Sequence, residues 1–355
     1  MAPLDAADGR DLGKGNTAMS KSLDGAVMTA ERADWPDRPR GVRDAGRTWA
    51  ALGARRWLQL GLAAIWLLDA VLQLQSFMFS KAFGQLLAAT AQGNPAVIAD
   101  PITWSVRIIE GHPGWANAAF ATVQLFLAIG IAWRPTVKVA LAASVCWSLG
   151  VWWVGEGLGG VLTGTADPVA GAPGAVIIYA LLAVLLWPAD RDGPFEAARP
   201  LGAWPARLLW LTLWGSLAYL TSQAANRTAQ GLHDMISGMT AGEPGWLASV
   251  DRGAASLLAG QGALASAVLA LVFATIAAGI FLPPRGARAV VLLAIATALT
   301  IWVVGENVGG IFTGSATDPN SGLPLVLLAA AYWPARGGTV GSGVSGPGRA
   351  VTPAA

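Results

Sequence analysis

Charge-free apolar runs of about 17 residues or more recur along this chain, and at ~1.5 Å of rise per residue each can cross a hydrocarbon core of ~30 Å. They fall near residues 57–78, 114–133, 137–156, 173–189, 206–224, 256–282, 288–306 and 321–334. Apolar residues make up 54% of the chain and charged ones only 12%, with 17 tryptophans against 2 histidines, which argues against a soluble protein. The expected fold is therefore all-α: a polytopic membrane protein of eight transmembrane helices. Residues 1–52 are polar and of mixed charge, and they read as a disordered cytoplasmic tail rather than a signal peptide. A first four-helix membrane repeat is expected over 53–190, a cytoplasmic linker over 191–205 and a second repeat over 206–335. Residues 336–355 form a flexible tail rich in Gly and Ser.

The division into repeats comes from a passage that occurs twice. Residues 151–168 read VWWVGEGLGGVLTGTADP and residues 301–319 read IWVVGENVGGIFTGSATDP. Trp152, Gly155, Glu156, Gly159, Gly160, Thr163 and Gly164 recur as Trp302, Gly305, Glu306, Gly309, Gly310, Thr313 and Gly314, and Thr317 is inserted before the second Asp-Pro. Punctuation elsewhere matches as well: Trp-Pro-Ala at 187–189 and 333–335, Gly93-x-Pro95 and Gly242-x-Pro244.

Arginine and lysine set the orientation. With the N-terminus inside, Arg134, Lys138, Arg191, Arg199, Arg207, Arg285, Arg288 and Arg336 are cytoplasmic, and only Lys81, Arg107, Arg227 and Arg252 lie outside. Four crossings per half make the halves parallel, related by an axis along the membrane normal. Both termini are then cytoplasmic and both Gly-Glu segments face outward. The short fourth and eighth segments have an alternative, dipping into the membrane and returning, which the charge bias disfavours. In the outer loops, Phe79, Phe83, Leu86 and Leu87, and again Leu232, Met235, Ile236 and Met239, are spaced as amphipathic helices on the interface.

The candidate chemistry is sparse. Glycine-rich backbone at membrane depth must be buried in protein or line a wet cavity. Glu156 and Glu306 would flank an outward cavity, with Thr163, Thr313, Asp167 and Asp318 nearby, as an ion or proton site. The competing expectation is that the glycines serve tight packing and each Glu caps loop N–H groups. Asp69 lies inside the first crossing with Gln73 on the same helical face, and the matching position in the second half is Leu217. A hydrogen-bonded packing role is the alternative there, and Arg227 is a candidate partner. Trp152, Trp153 and Trp302 read as an interfacial aromatic belt. His112 and His233 stand in loops, and Cys146, the only cysteine, reads as a packing residue. No metal site, cofactor or nucleotide motif is expected. The arginines near the first crossing suit orientation and anionic headgroups rather than nucleic acid.

The stretch WANAAFATVQLFLAIGIAWRPTVKVALAASVCW, with its Gly130-Ile-Ala-Trp-Arg134 turn between two apolar helices, resembles the four-helix DoxX-like membrane proteins. That group includes the small subunit of thiosulfate:quinone oxidoreductase. The resemblance implies a non-enzymatic accessory or scaffold subunit of the bacterial inner membrane, beside a redox enzyme or quinone. Its partners would be the lipid bilayer and a membrane protein or a second copy of the chain. The Gly-Glu-x-x-Gly-Gly segment has no counterpart in that pattern, so no site residue is carried over. The alternative function is a secondary transporter or ion-coupled permease whose outward cavity is lined by Glu156 and Glu306.

Overall fold

The computed structural model describes residues 41–189 and 191–335; residues 1–40 of the tail expected over 1–52, and the whole tail expected over 336–355, lie outside the described residues. The described residues form twelve α-helices and no β-strand. In chain order these are α1 (Gly41–Leu72), α2 (Lys81–Ala89), α3 (Ala96–Gly111), α4 (Pro113–Ala132), α5 (Val137–Val154) and α6 (Ala175–Leu185). Then follow α7 (Ala203–Thr221), α8 (Gly231–Met239), α9 (Gly245–Leu258), α10 (Gly262–Gly279), α11 (Pro284–Thr300) and α12 (Gly322–Ala331). Helix α1 begins at Gly41 and so takes in residues 41–52, which the sequence assigned to the tail.

Four helical stretches are long and apolar enough to cross a membrane: Pro113–Ala132, Arg134–Val154, Gly262–Gly279 and Pro284–Gly305. At most 33% of any of these windows is buried within the protein, so their apolar faces point outward. Phe126, Val139, Leu264, Leu271 and Leu292 are all more than half exposed, a surface that suits lipid and not water.

The short apolar helices behave in the opposite way. α6 has 11 residues and α12 has 10, giving ~15 Å each, half the hydrocarbon thickness. A helix apolar on every side is a buried helix. Ile178, Tyr179, Leu182 and Leu185 of α6, and Leu325, Leu328 and Ala331 of α12 with Tyr332 just after it, are essentially inaccessible. The two pack on each other, α6 also against α5 and α12 against α11. Leu62 and Trp66 of α1 and Trp210 and Trp214 of α7 close the same core.

Helices α2 and α8 occupy the stretches expected to be amphipathic, burying Phe83 and Leu232 with Ile236. α3 and α9 follow them as further helices. The run read as one segment over 256–282 is broken because Gly260 adopts a positive φ of 74°, ending α9 and allowing α10 to start at Gly262. Residues 191–205 are not a free linker either. Phe195, Ala197 and Ala198 are buried, Glu196 N–H donates to the Trp333 carbonyl (2.8 Å) and Ala335 N–H to that of Pro194 (2.8 Å). The two halves of the chain also exchange bonds. Gln75 Nε2 donates to the Ala316 carbonyl (3.0 Å), and Asn226 Nδ2 donates to the matching carbonyl of Ala166 (2.7 Å).

Candidate functional site

Both Gly-Glu segments fold alike. Glu156 N–H reaches the Val151 carbonyl (3.0 Å) and Glu306 N–H that of Ile301 (2.8 Å), widening the last helical turn. The chain then turns left-handed through Gly157, Leu158, Gly159 and Gly160, and through Asn307, Val308, Gly309 and Gly310. A Cβ on Gly159 would overlap the Pro173 carbonyl, and one on Gly309 would overlap that of Pro319. Glycine is required there by φ and by close approach together. Trp152 Nε1 donates to the Pro173 carbonyl (2.6 Å) and Trp302 Nε1 to that of Pro319 (2.8 Å). These two indoles are braces of the turn rather than belt residues, whereas Trp153 is exposed.

The matching braces correct the alignment of the repeated passage. Pro173, not Pro168, stands where Pro319 stands, because the first segment carries an additional short turn over Pro168–Ala170. Asp167 and Asp318 are therefore not counterparts. Asp167 caps that extra turn by accepting from Val169 N–H (2.9 Å), and burial raises its carboxyl above the ordinary range. Asp318 accepts from Thr317 Oγ1 and Asn320 N–H (both 2.7 Å), and burial raises it too. Thr163 and Thr313 bond back to the carbonyls of Gly160 and Gly310 (both 2.7 Å). They hold their loops, and Gly164 and Gly314 follow with positive φ. Gly155 and Gly305 end the two helices.

The two glutamates meet different surroundings. Glu306 is buried and accepts from Ser321 Oγ and from Gly322 N–H (2.8 Å), so it caps the start of α12. At Glu156 the backbone N–H groups of Ala175 and Val176 approach, the latter at a long 3.4 Å, no side chain donates, and Oε2 is buried without a hydrogen-bond partner. Gly174, which a Cβ would turn into an obstacle to Oε2, allows the carboxylate this position.

Glu156 opens onto a cavity of about 320 Å³. Asp69 reaches it from α1 and Gln73 from the turn just after, Gln124 from α4, Cys146 and Trp147 from α5, and Thr317 with Asp318 from the second Gly-Glu segment. Phe83, Ile109 and Phe120 supply an apolar wall. Tyr179 Oη donates to Asp69 Oδ1 at 3.4 Å, so Tyr179 and not Arg227 is the partner of Asp69. Gln73 and Gln124 are both buried, and Oε1 of each lacks a partner, as does Nε1 of Trp147. Each such group costs ~1–3 kcal/mol unless something else bonds it. The cavity thus gathers Asp69, Gln73, Glu156 and Asp318 from among the candidates, and leaves out Glu306, Thr163, Thr313 and Asp167.

Gln124 and Trp147 escaped the sequence reading, although Gln124 carries the same signal as Asp69: a polar residue inside an apolar run. Cys146 is exposed and lines the cavity, which corrects the packing role expected of it. A second acidic pair was also missed. Glu243, before α9, and Asp251, buried on α9, receive no donor from another residue at any of their four oxygens. Burial and the neighbouring Asp251 push the Glu243 carboxyl up to about 7. Among the described residues no three metal-ligating side chains come together.

No protein-family model matches the chain, and no curated protein or solved structure is significantly similar to it.

Proposed function

We propose that the protein is a multi-pass transporter of the bacterial cytoplasmic membrane that binds a small ligand in this cavity and moves it with ion or proton coupling. The carrying observation is the meeting of Asp69, Glu156 and Asp318 with two unpaired amides in one cavity, from parts of the chain far apart in sequence. A packing role offers nothing to offset that many unpaired polar atoms. In this reading α6 and α12 complete their crossings with the non-helical residues at their ends, so that eight segments cross, the halves are parallel, both termini are cytoplasmic and the Gly-Glu segments face outward. The repeated passage and the reciprocal bonds to Ala166 and Ala316 support that arrangement. Cysteines placed at Thr165 and Ser315 should both react with an impermeant thiol reagent from outside; labelling from opposite sides removes the parallel arrangement. For transport, proteoliposomes are screened with a panel of labelled solutes, and Asp69→Asn should lower uptake at least tenfold with its melting temperature retained. Undiminished uptake by folded Asp69→Asn would sink the assignment of the site.

A second reading keeps the DoxX-like resemblance: an accessory subunit beside a redox enzyme. The aromatic wall formed by Phe83, Phe120 and Trp147 favours it, because such a wall suits a quinone ring. Extraction in mild detergent would then recover a stoichiometric partner, and repeated isolation of the chain alone would count against it.

A further inference from the structure

The acidic and basic side chains around the cavity are all of one kind. Asp69, Glu156 and Asp318 line it, and no Lys, Arg or His does. No three of these or other ligating groups among the described residues are close enough for one metal ion, so the carboxyls surround a space rather than chelate a point. Phe83, Phe120 and Trp147 also line it, the rings of Phe120 and Trp147 lying 6.0 Å apart and inclined at 58° and those of Phe83 and Phe120 6.5 Å apart and edge to face, an aromatic cluster. Such a cluster attracts a cation and accommodates an apolar body. Buried, unpaired amides at Gln73 and Gln124 add hydrogen-bonding capacity for the ammonium hydrogens. At about 320 Å³ the space is at the small end of ligand pockets. It opens to the surface at Cys146 and Gly150 of α5, next to the exposed Leu149.

We infer that the cavity takes an organic ammonium ion with an apolar or aromatic body, its nitrogen among Asp69, Glu156 and Asp318 and its body on the Phe83, Phe120 and Trp147 wall. This rests on the ligand-binding reading proposed above and names the chemical class of the ligand. An electron-rich or anionic molecule would face three acidic groups with no compensating cation. A neutral one would supply no cation to stabilise the carboxylate form of these buried acids.

The full chain in nanodiscs is titrated with phenethylammonium, with phenethyl alcohol of nearly the same shape, and with a short-chain benzoquinone. Quenching of tryptophan fluorescence and protection of Cys146 from maleimide are the readouts. Phenethylammonium should bind at least tenfold more tightly than the alcohol or the quinone and should protect Cys146. Asp69→Asn should remove that preference, and Gln124→Phe should abolish binding of all three by filling the space as Phe273 does in the other half. Melting curves establish that each variant is folded, and either variant alone carries the test if the other is not. Equal or tighter binding of the alcohol or the quinone overturns the inference, as does the absence of any binding by the ammonium probe at millimolar concentration. Binding of the ammonium without its accumulation in vesicles upholds the inference and removes the transport reading. Accumulation of an uncharged solute with no ammonium binding does the reverse.

Discussion

Glu156 and Glu306 end the same helix in the same repeated words, yet one is saturated and the other is not. The difference lies across the chain from both. Ser321 supplies Glu306 with a hydroxyl, and where the braces align, Ala175 stands in its place beside Glu156. The same contrast runs through the interior. Asp69, Gln124 and Tyr179 around the cavity correspond to Leu217, Phe273 and Leu325, all buried, in the other half. One half has an apolar interior at these positions, and the other holds the polar cavity. A shared motif therefore sets the backbone turn, whereas unshared neighbours decide whether the carboxylate is a cap or part of a site.

The largest effects should fall where the two segments are the same. Gly159→Ala and Gly309→Ala each force a Cβ into a proline carbonyl at a positive φ, and each should cost ~3 kcal/mol or more. Chemical denaturation that finds one tolerated and the other ruinous would break the equivalence of the turns. Next comes the contrast between the acids. Glu306→Gln weakens charge-assisted bonds to Ser321 and Gly322 and should cost ~2 kcal/mol, against under ~0.5 kcal/mol for Glu156→Gln. Equal losses would mean that Glu156 is also a cap. Smaller still is the gain from making the first half resemble the second. Asp69→Leu with Tyr179→Phe replaces a long 3.4 Å bond by apolar contacts and should raise stability by ~1.5 kcal/mol while abolishing ligand binding. A loss of stability would show that the Asp69 contact holds the bundle.

What the sequence disclosed followed from lipid as a solvent. Stretches facing hydrocarbon must be apolar along their whole length, so the four long helices coincide with uninterrupted runs. Asp69 and Gln73 stood out because polar side chains are costly in such runs and need a reason. Other features depend on what meets what in space. α6 and α12 are as apolar as the spanning helices, and although their shortness is legible in the sequence, only their mutual packing reveals that they are central. Matching Asp-Pro to Asp-Pro aligned the wrong prolines, since the indole braces that fix the register are contacts, not letters. The unequal fates of Glu156 and Glu306 likewise hang on residues 175 and 321, which neither copy of the motif contains.

The smallest expected effect concerns an asymmetry outside the cavity. The turn residues Gly93-x-Pro95 and Gly242-x-Pro244 enclose Asn94 in the first half and Glu243 in the second, and buried Ile102 is answered by buried Asp251. Asn94 bonds the carbonyls of Thr90 (2.9 Å) and Gly157 (3.3 Å), tying the turn to the Gly-Glu loop. Glu243 instead stands beside Asp251, a second carboxyl that burial also raises, and neither has a donor from any other residue. With Glu243 raised to about 7 in the folded protein, the folded state holds a proton that the unfolded chain releases near its ordinary value of ~4.3. Between those two values the native state binds more protons, so stability falls as pH rises from ~4.5 to about 7 and is level above. Because Glu243 is partly exposed, solvent screening limits the change to ~1 kcal/mol. Melting temperatures across that window should decline for the native chain, and Glu243→Gln should flatten the slope and stabilise the protein at pH 8. A slope of the same size in Glu243→Gln would assign the pH dependence to other buried carboxyls, Glu306 first, since burial pushes it up to about 7 as well. The acid asymmetry of these two turns would then contribute nothing to that slope.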